Sequence, residues 1–233
     1  MNGNKSDINN GLQEMVNGFK QLPTFVRWLL GTGVTLVGIA IYSGEGADFM
    51  RAQTPAGLVI DVAMVIVTIW AFYEFIDYGD VKRSINLPRR SWQFVGEIVA
   101  VLVLVELLPW LLAQGFELPI QTSDNQTSLL QVIYSSPNGL SLLILYTLGF
   151  APFIEELIFR WLPGKMIGMQ WWNLVFFGVF FVFMHGPTTL YQWFAYGTIA
   201  AGLEYTAWRW GVKGSITLHL MINLLAVGSL FTL

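Results

Sequence analysis

Long apolar segments recur along the chain, and they constrain its fold more than any other feature. The hydrocarbon core of a bilayer is crossed by about twenty apolar helical residues, and within it only helices or closed barrels satisfy every backbone polar group. Segments of roughly this length occupy residues 24–44, 56–76, 92–113, 139–163, 171–186, 188–206 and 214–233. The pattern predicts an all-α, polytopic transmembrane helix bundle of about seven spans. The short break at Gly186-Pro187 leaves a count of six to eight open.

Composition excludes several classes of protein. Hydrophobic residues make up 55% of the 233 positions and charged residues only 12%, which argues against a soluble globular enzyme. The net charge of −3 provides no basic surface for a nucleic acid. The absence of cysteine excludes disulfides, thiolate zinc sites and a cysteine nucleophile. Only two histidines, His185 and His219, are available for imidazole chemistry.

The chain divides into a short polar segment and a single membrane domain. Residues 1–22 are polar, with apolar side chains at three- and four-residue steps, which is typical either of an amphipathic helix on the bilayer surface or of a polar tail. Residues 23–233 contain neither an internal repeat nor a long linker. They are therefore predicted to form one transmembrane domain.

The distribution of lysine and arginine predicts the orientation of this domain, because cytoplasmic flanks collect positive charge. With a cytoplasmic N-terminus and seven spans, only Arg51 of the twelve basic residues falls outside. The other eleven fall on cytoplasmic flanks: Lys5, Lys20, Arg27, Lys82, Arg83, Arg89, Arg90, Arg160, Lys165, Arg209 and Lys213. We therefore expect a multi-pass protein of the cell membrane with its N-terminus inside and the polar segment 114–138 outside.

Ionisable side chains within spans are costly, so each is a candidate functional residue. Glu97 and Glu106 lie deep in the third predicted span, and Glu204 lies near the end of the sixth. For these three glutamates we favour a structural role, either a polar contact inside the bundle or a position near the membrane surface.

Two adjacent carboxylates and an arginine on one apolar segment are more suggestive. Glu156 and Arg160 are i,i+4 neighbours and are expected to form an ion pair. Glu155 is rotated by about 100° around the helix axis and faces elsewhere. The segment fits either a general base beside an ion pair or a purely structural charge cluster, and by itself it does not distinguish them.

The two histidines favour the catalytic interpretation. His185 ends an aromatic run, and His219 lies in the last predicted span with Asn223 four residues further on, on the same helical face. A lone histidine on an apolar helix is usually a packing residue. Together with Glu155, however, these side chains would supply a base, an imidazole and donors for an oxyanion.

Three motifs resemble those of the CAAX proteases and bacteriocin-processing enzymes, the CPBP family, formerly called Abi proteins. That family carries EExxxR, FxxxH and HxxxN on three separate transmembrane helices. Here they read, in the same order, Glu155-Glu156-Leu157-Ile158-Phe159-Arg160, Phe181-Val182-Phe183-Met184-His185 and His219-Leu220-Met221-Ile222-Asn223. The resemblance covers about residues 139–233.

The resemblance implies an intramembrane endopeptidase acting on a membrane-associated or membrane-embedded peptide or protein. Glu155, with His185, would activate a water for attack on a peptide carbonyl, and His219 with Asn223 would stabilise the oxyanion. Glu156, Arg160 and Phe181 would support the site. Substrates of bacterial relatives would be small peptides such as pheromone or bacteriocin precursors, or segments of membrane proteins.

Two alternatives to metal-free proteolysis are open. Two histidines and a glutamate could form a zinc site, but the resemblance implies glutamate chemistry with no metal and no other cofactor. A protein of another class, a non-proteolytic immunity or scaffold protein, would instead bind a bacteriocin, a receptor or a sensor kinase in the membrane.

One distance is difficult to reconcile with a straight fifth span. With Trp171 and Trp172 at the cytoplasmic interface, His185 lies about 21 Å further along the helix, whereas Glu155 and His219 are expected near that interface. We therefore expect the fifth helix to be tilted, to start deeper than its tryptophans suggest, or to be broken near Gly178.

Overall fold

The computed structural model describes residues 87–121, 139–168 and 170–229, together with residues 21–27 and scattered positions between 14 and 66 and between 127 and 134. The first two predicted spans, the surface helix predicted within residues 1–22 and much of segment 114–138 therefore lie largely outside the described residues. The predictions made for them stay predictions.

The described residues are all-helical, with no strand among them. Helix α1 is Leu87–Gly115, and α2 is a continuous helical segment that begins at Gly139 and ends at Met166. Helices α3, α4 and α5 are Trp171–Met184, Leu190–Trp210 and Val212–Ser229. The all-α prediction is confirmed for this part of the chain.

Three of the described helical segments are long and apolar enough to cross a bilayer: Ser91–Gly115, Gly139–Gly164 and Val212–Ser229. Helix α3 is apolar but has only 14 residues. At 1.5 Å per residue it extends about 21 Å, which is less than the roughly 30 Å of a hydrocarbon core. It continues without interruption past Gly178, so of the three alternatives given for this helix the break is wrong, and the tilt and the deeper start stay predictions. The short helix ends at the depth in the bundle where Glu155 lies.

Helix α4 packs against α1, α3 and α5, and its small residues allow close approach. A Cβ atom at Gly202 would lie 2.7 Å from Val105 of α1 and 3.3 Å from Leu218 of α5. Small residues of this kind let membrane helices pack backbone to backbone. The buried core draws on all five helices: Ile98, Val105, Ile158, Phe159, Phe181, Val182, Ala200, Leu203, Leu218 and Ile222.

Helix α2 alternates between α and π geometry around its carboxylates. Its five consecutive stretches are Gly139–Ile144 (α), Leu145–Phe150 (π), Ala151–Glu156 (α), Leu157–Trp161 (π) and Leu162–Met166 (α). Prolines 152 and 163 open the second and third α stretches. Proline has no N–H and clashes with the carbonyl four residues earlier, so each π stretch absorbs the change in hydrogen-bond register before a proline. Glu155 and Glu156 lie between these two irregularities.

A tight turn at Gly186-Pro187 joins α3 to α4. Gly186 has a φ of +58°, which is readily adopted only by glycine. Helix α4 then starts with a capping box, in which Thr189 accepts from the Gln192 backbone and the Gln192 side chain accepts from the Thr189 backbone. Oε1 of the Gln192 side chain also accepts from the Thr188 backbone N–H at 2.7 Å. These bonds fix the turn that follows His185.

Candidate active site

The site is built on the Glu155-Glu156 pair of α2. The ion pair predicted from sequence is present: Arg160 Nη1 lies 3.0 Å from Glu156 Oε1, and both side chains are fully buried. Glu155 projects from the neighbouring position and is 9% exposed. One turn of helix therefore holds two carboxylates in different environments.

Glu156 connects α2 to α5. Its Oε1 also accepts from Nδ1 of His219 at 2.8 Å, and its Oε2 accepts from the Ser215 hydroxyl. A carboxylate oxygen can only accept, so His219 carries a proton on Nδ1. Glu156 thereby fixes both the tautomer and the orientation of this imidazole, while the other ring nitrogen remains available.

The remaining nitrogens of both histidines face one oxygen of Glu155. Oε2 of Glu155 lies 3.7 Å from Nε2 of His219 and 4.0 Å from Nε2 of His185. His185 follows the last residue of α3, and its Nδ1 lies 2.8 Å from the Phe181 carbonyl, one of the carbonyls that a helix end leaves without an intrahelical donor. Helices α2, α3 and α5 thus bring together three side chains separated by up to 64 positions in the sequence.

Aromatic rings enclose the polar atoms. The Phe181 ring centroid lies 4.3 Å from that of His185 and 6.0 Å from that of His219. On the other helix of the turn, Tyr196 lies 4.7 Å from the His185 ring. The Arg160 guanidinium carbon is 4.6 Å from the Phe181 centroid, within the range of a cation–π contact. Phe181 therefore contacts three members of the cluster at once.

Sequence reasoning missed one member of this cluster, Glu204. Its Oε1 accepts from Nε of Arg160 at 2.8 Å, and its side chain is only 8% exposed. Of the two structural roles expected from sequence, the polar contact inside the bundle is the observed one, because α4 continues to Trp210 and places Glu204 against the buried arginine. An unaccompanied glutamate one turn and a half before the helix end could have suggested a buried partner. Nothing in the sequence named Arg160 as that partner.

Asn223 lies on the same helix as His219, one turn further on, and donates from Nδ2 to the Thr147 carbonyl at 2.7 Å. In the π stretch of α2, the Ala151 N–H donates to the Tyr146 carbonyl. The same register would pair Thr147 with Pro152, which has no N–H, and Asn223 supplies the missing donor. Its predicted role at an oxyanion remains a prediction, and its observed contact ties α5 to α2.

Among the described residues, no group of three or more His, Asp or Glu side chains is arranged to hold a metal ion. Glu156 is already engaged by arginine, histidine and serine donors, so it has little capacity left for a cation. The expectation that no metal takes part in the chemistry remains a prediction.

Comparison with known proteins finds a family match in this part of the chain. Residues 137–225 match the family model described as type II CAAX prenyl endopeptidase Rce1-like, and the match includes all of the candidate site residues. The C-terminal segment is therefore similar to the CAAX proteases. The resemblance carried by the three sequence motifs is thereby confirmed.

A curated bacterial relative supports the same assignment. The UPF0177 protein YvdC of Lactococcus lactis subsp. lactis (strain IL1403) is 28% identical over 73% of this chain. The chain covers 65% of that relative's length, and the relative's name states no activity. No solved structure matches the chain. The family match therefore suggests a function, and the arrangement of the side chains is the basis on which a mechanism is proposed.

Proposed function

We propose that the chain is an intramembrane endopeptidase in which Glu155 activates the water that attacks a peptide carbonyl. The observation that supports this most strongly is the convergence of both imidazole Nε2 atoms, at 3.7 and 4.0 Å, on one oxygen of Glu155. These separations exceed the length of a direct hydrogen bond and suit polar groups bridged by one water.

Glu155 and His185 act on that water. His185 uses Nδ1 toward the Phe181 carbonyl, so its Nε2 has a free lone pair when the ring is neutral. Water can then donate one proton toward Glu155 and the other toward His185. As the oxygen attacks, Glu155 accepts a proton as the general base and returns it to the leaving amine.

His219 faces the charge that develops on the substrate. Its Nδ1–H is held by the Glu156 carboxylate, which orients the ring with Nε2 toward Glu155. When the ring carries a second proton, Nε2–H can donate to the oxyanion of the tetrahedral intermediate, where a preorganised donor in a site with little water is most effective. Asn223 retains a second amide N–H for the same purpose once a substrate is bound.

The membrane setting restricts the substrate. A bundle of about seven spans with a cytoplasmic N-terminus would hold the site inside the bilayer of the cell membrane, open toward its cytoplasmic half. Substrates that reach it would be membrane-associated peptides or transmembrane segments, including peptide precursors such as those of bacteriocins. The reaction needs no metal and no other cofactor in this scheme.

The test is a comparison of peptides from membranes that contain wild-type protein or single variants. Glu155→Gln, His185→Ala and His219→Ala should each abolish processing of the same set of peptides while the protein remains inserted and abundant. Glu97→Gln is the matched control, since Glu97 also pairs with an arginine, Arg209, but contacts none of the site residues. Full processing by all three site variants would contradict proteolysis and favour the immunity or scaffold protein.

A further inference from the structure

We propose that Glu204 is a positioning residue for the Glu155 site and acts through Arg160. This inference rests on the proposed function, and it concerns a residue outside the three family motifs. Glu204 comes from α4, which supplies none of the predicted catalytic groups. Its contact with Arg160 is nevertheless the shortest ion pair that the arginine makes, 2.8 Å against 3.0 Å for Glu156.

A continuous series of contacts leads from Glu204 to the candidate base. Glu204 Oε1 holds Nε of Arg160, and Nη1 of Arg160 donates to Glu156 Oε1. The same Glu156 oxygen accepts from Nδ1 of His219, whose Nε2 faces Glu155. These residues lie on α4, α2 and α5, and all of them are buried.

Glu204 matters because Arg160 and His219 share one acceptor atom. The guanidinium is planar, carries five N–H groups and is fully buried here, so each N–H without an acceptor is costly. Its Nη2 already has no hydrogen-bond acceptor among the described residues. Without the Glu204 carboxylate, the Arg160 guanidinium would rotate toward Glu156 and donate two parallel hydrogen bonds to its carboxylate. It would then compete with His219 for Oε1 and release the imidazole from its fixed orientation.

Helix α3 sets the position of Glu204 from the opposite side. A Cβ atom at Gly178 would lie 3.1 Å from Glu204 Cγ and 3.4 Å from its Oε1. Only a glycine leaves this carboxylate enough room to reach Arg160 without displacement. The position of Glu204 can therefore be changed by a methyl group on another helix, with no change of charge.

The two-histidine composition allows a direct spectroscopic test. Protein labelled with ¹⁵N-histidine and carrying no histidine tag gives signals from His185 and His219 alone, which the His185→Gln variant assigns. In Glu204→Met, which leaves no strong acceptor opposite Nε of Arg160, we expect the Nδ1 signal of His219 to shift and broaden as its bond to Glu156 is lost. The Nδ1 signal of His185, which is held by a backbone carbonyl, should change little. Cleavage should show a kcat lowered by about 10- to 100-fold with KM nearly unchanged, as expected for misplacement of a reacting group.

The same measurement is made on a control variant and on a second test variant. Glu97→Gln should alter neither the His219 signal nor kcat. If Glu204→Met does not fold, Gly178→Ala serves as the test variant, with an expected smaller shift of the His219 signal in the same direction. Its matched control is Gly197→Ala, where a Cβ would meet nothing within 4 Å. A wild-type His219 signal and kcat in folded Glu204→Met, or in Gly178→Ala where Glu204→Met does not fold, would overturn the inference. Retained cleavage in Glu155→Gln would instead refute the proposed function, whatever the His219 signal does.

Discussion

At the scale of single residues, Arg160 is the cation that allows two buried carboxylates to lie in an apolar bundle. It is fully buried and hydrogen-bonds to two carboxylates from different helices, Glu156 and Glu204. Burying charges costs more than a pair returns unless the geometry is good, but removing one member leaves the others without compensation. Both glutamates therefore depend on this arginine.

Replacing Arg160 with methionine should destabilise the folded bundle by about 3–5 kcal/mol, because two buried carboxylates lose their cation. The measurement is reversible unfolding in detergent, followed by the intrinsic tryptophan signal. Arg209→Met is the control: its ion pair with Glu97 is 38% exposed on the arginine side and should contribute under about 1 kcal/mol. Equal losses of stability in the two variants would contradict the special position of Arg160.

The i,i+4 spacing was enough to predict one half of the cluster from sequence. Glu156 and Arg160 pair within a single helical turn, whatever the rest of the fold does. The Arg160–Glu204 pair joins positions 44 residues apart and depends on how α2 and α4 pack, which spacing does not encode. The grouping of Glu155 with His185 and His219 was suggested by their residue types within apolar segments, and the family resemblance supplied the role of each.

At the scale of elements, the bounds of α3 were close to the segment 171–186 expected from sequence, since the helix runs from Trp171 to Met184. His185 follows its last residue, with Nδ1 at the Phe181 carbonyl. The sequence did not show how this helix is inclined against α2, which decides whether His185 reaches Glu155. The π stretches of α2 were also unforeseen, because a proline in an apolar run predicts a kink without specifying its hydrogen-bond register.

The turn after His185 depends on the backbone of Gly186. A Cβ there would meet nothing within 4 Å, so the cost of Gly186→Ala is conformational and arises from the φ of +58°. We expect a loss of stability of about 1–2 kcal/mol together with reduced cleavage, since the turn positions His185. Gly197→Ala, within α4, should stabilise the protein by about 0.5–1 kcal/mol. Unfolding in detergent measures both, and a Gly186→Ala variant as stable as wild type would refute this account of the turn.

At the scale of the whole molecule, the charge distribution predicts which loops face the cytoplasm. The chain has no cysteine, so a single introduced cysteine reports its own location without background. Ser84→Cys lies within the basic segment between the second and third predicted spans, and Ser123→Cys lies in the polar segment after the third.

A membrane-impermeant maleimide added to intact cells should label Ser123→Cys but not Ser84→Cys, and lysis should make both reactive. The physical reason is the retention of lysine and arginine on the cytoplasmic side during insertion. Labelling of both cysteines from outside, or of Ser84→Cys alone, would contradict the predicted orientation with its cytoplasmic N-terminus.

The central claim is that Glu155 activates water for peptide hydrolysis. Its most direct test uses purified protein in liposomes with a membrane peptide whose processing in cells requires Glu155, and compares the cleavage rates of wild type and Glu155→Gln. Loss of a general base should lower kcat by about 10²- to 10⁴-fold, with the Glu97→Gln control at the wild-type rate. A Glu155→Gln protein that cleaves the peptide as fast as wild type would contradict the claim.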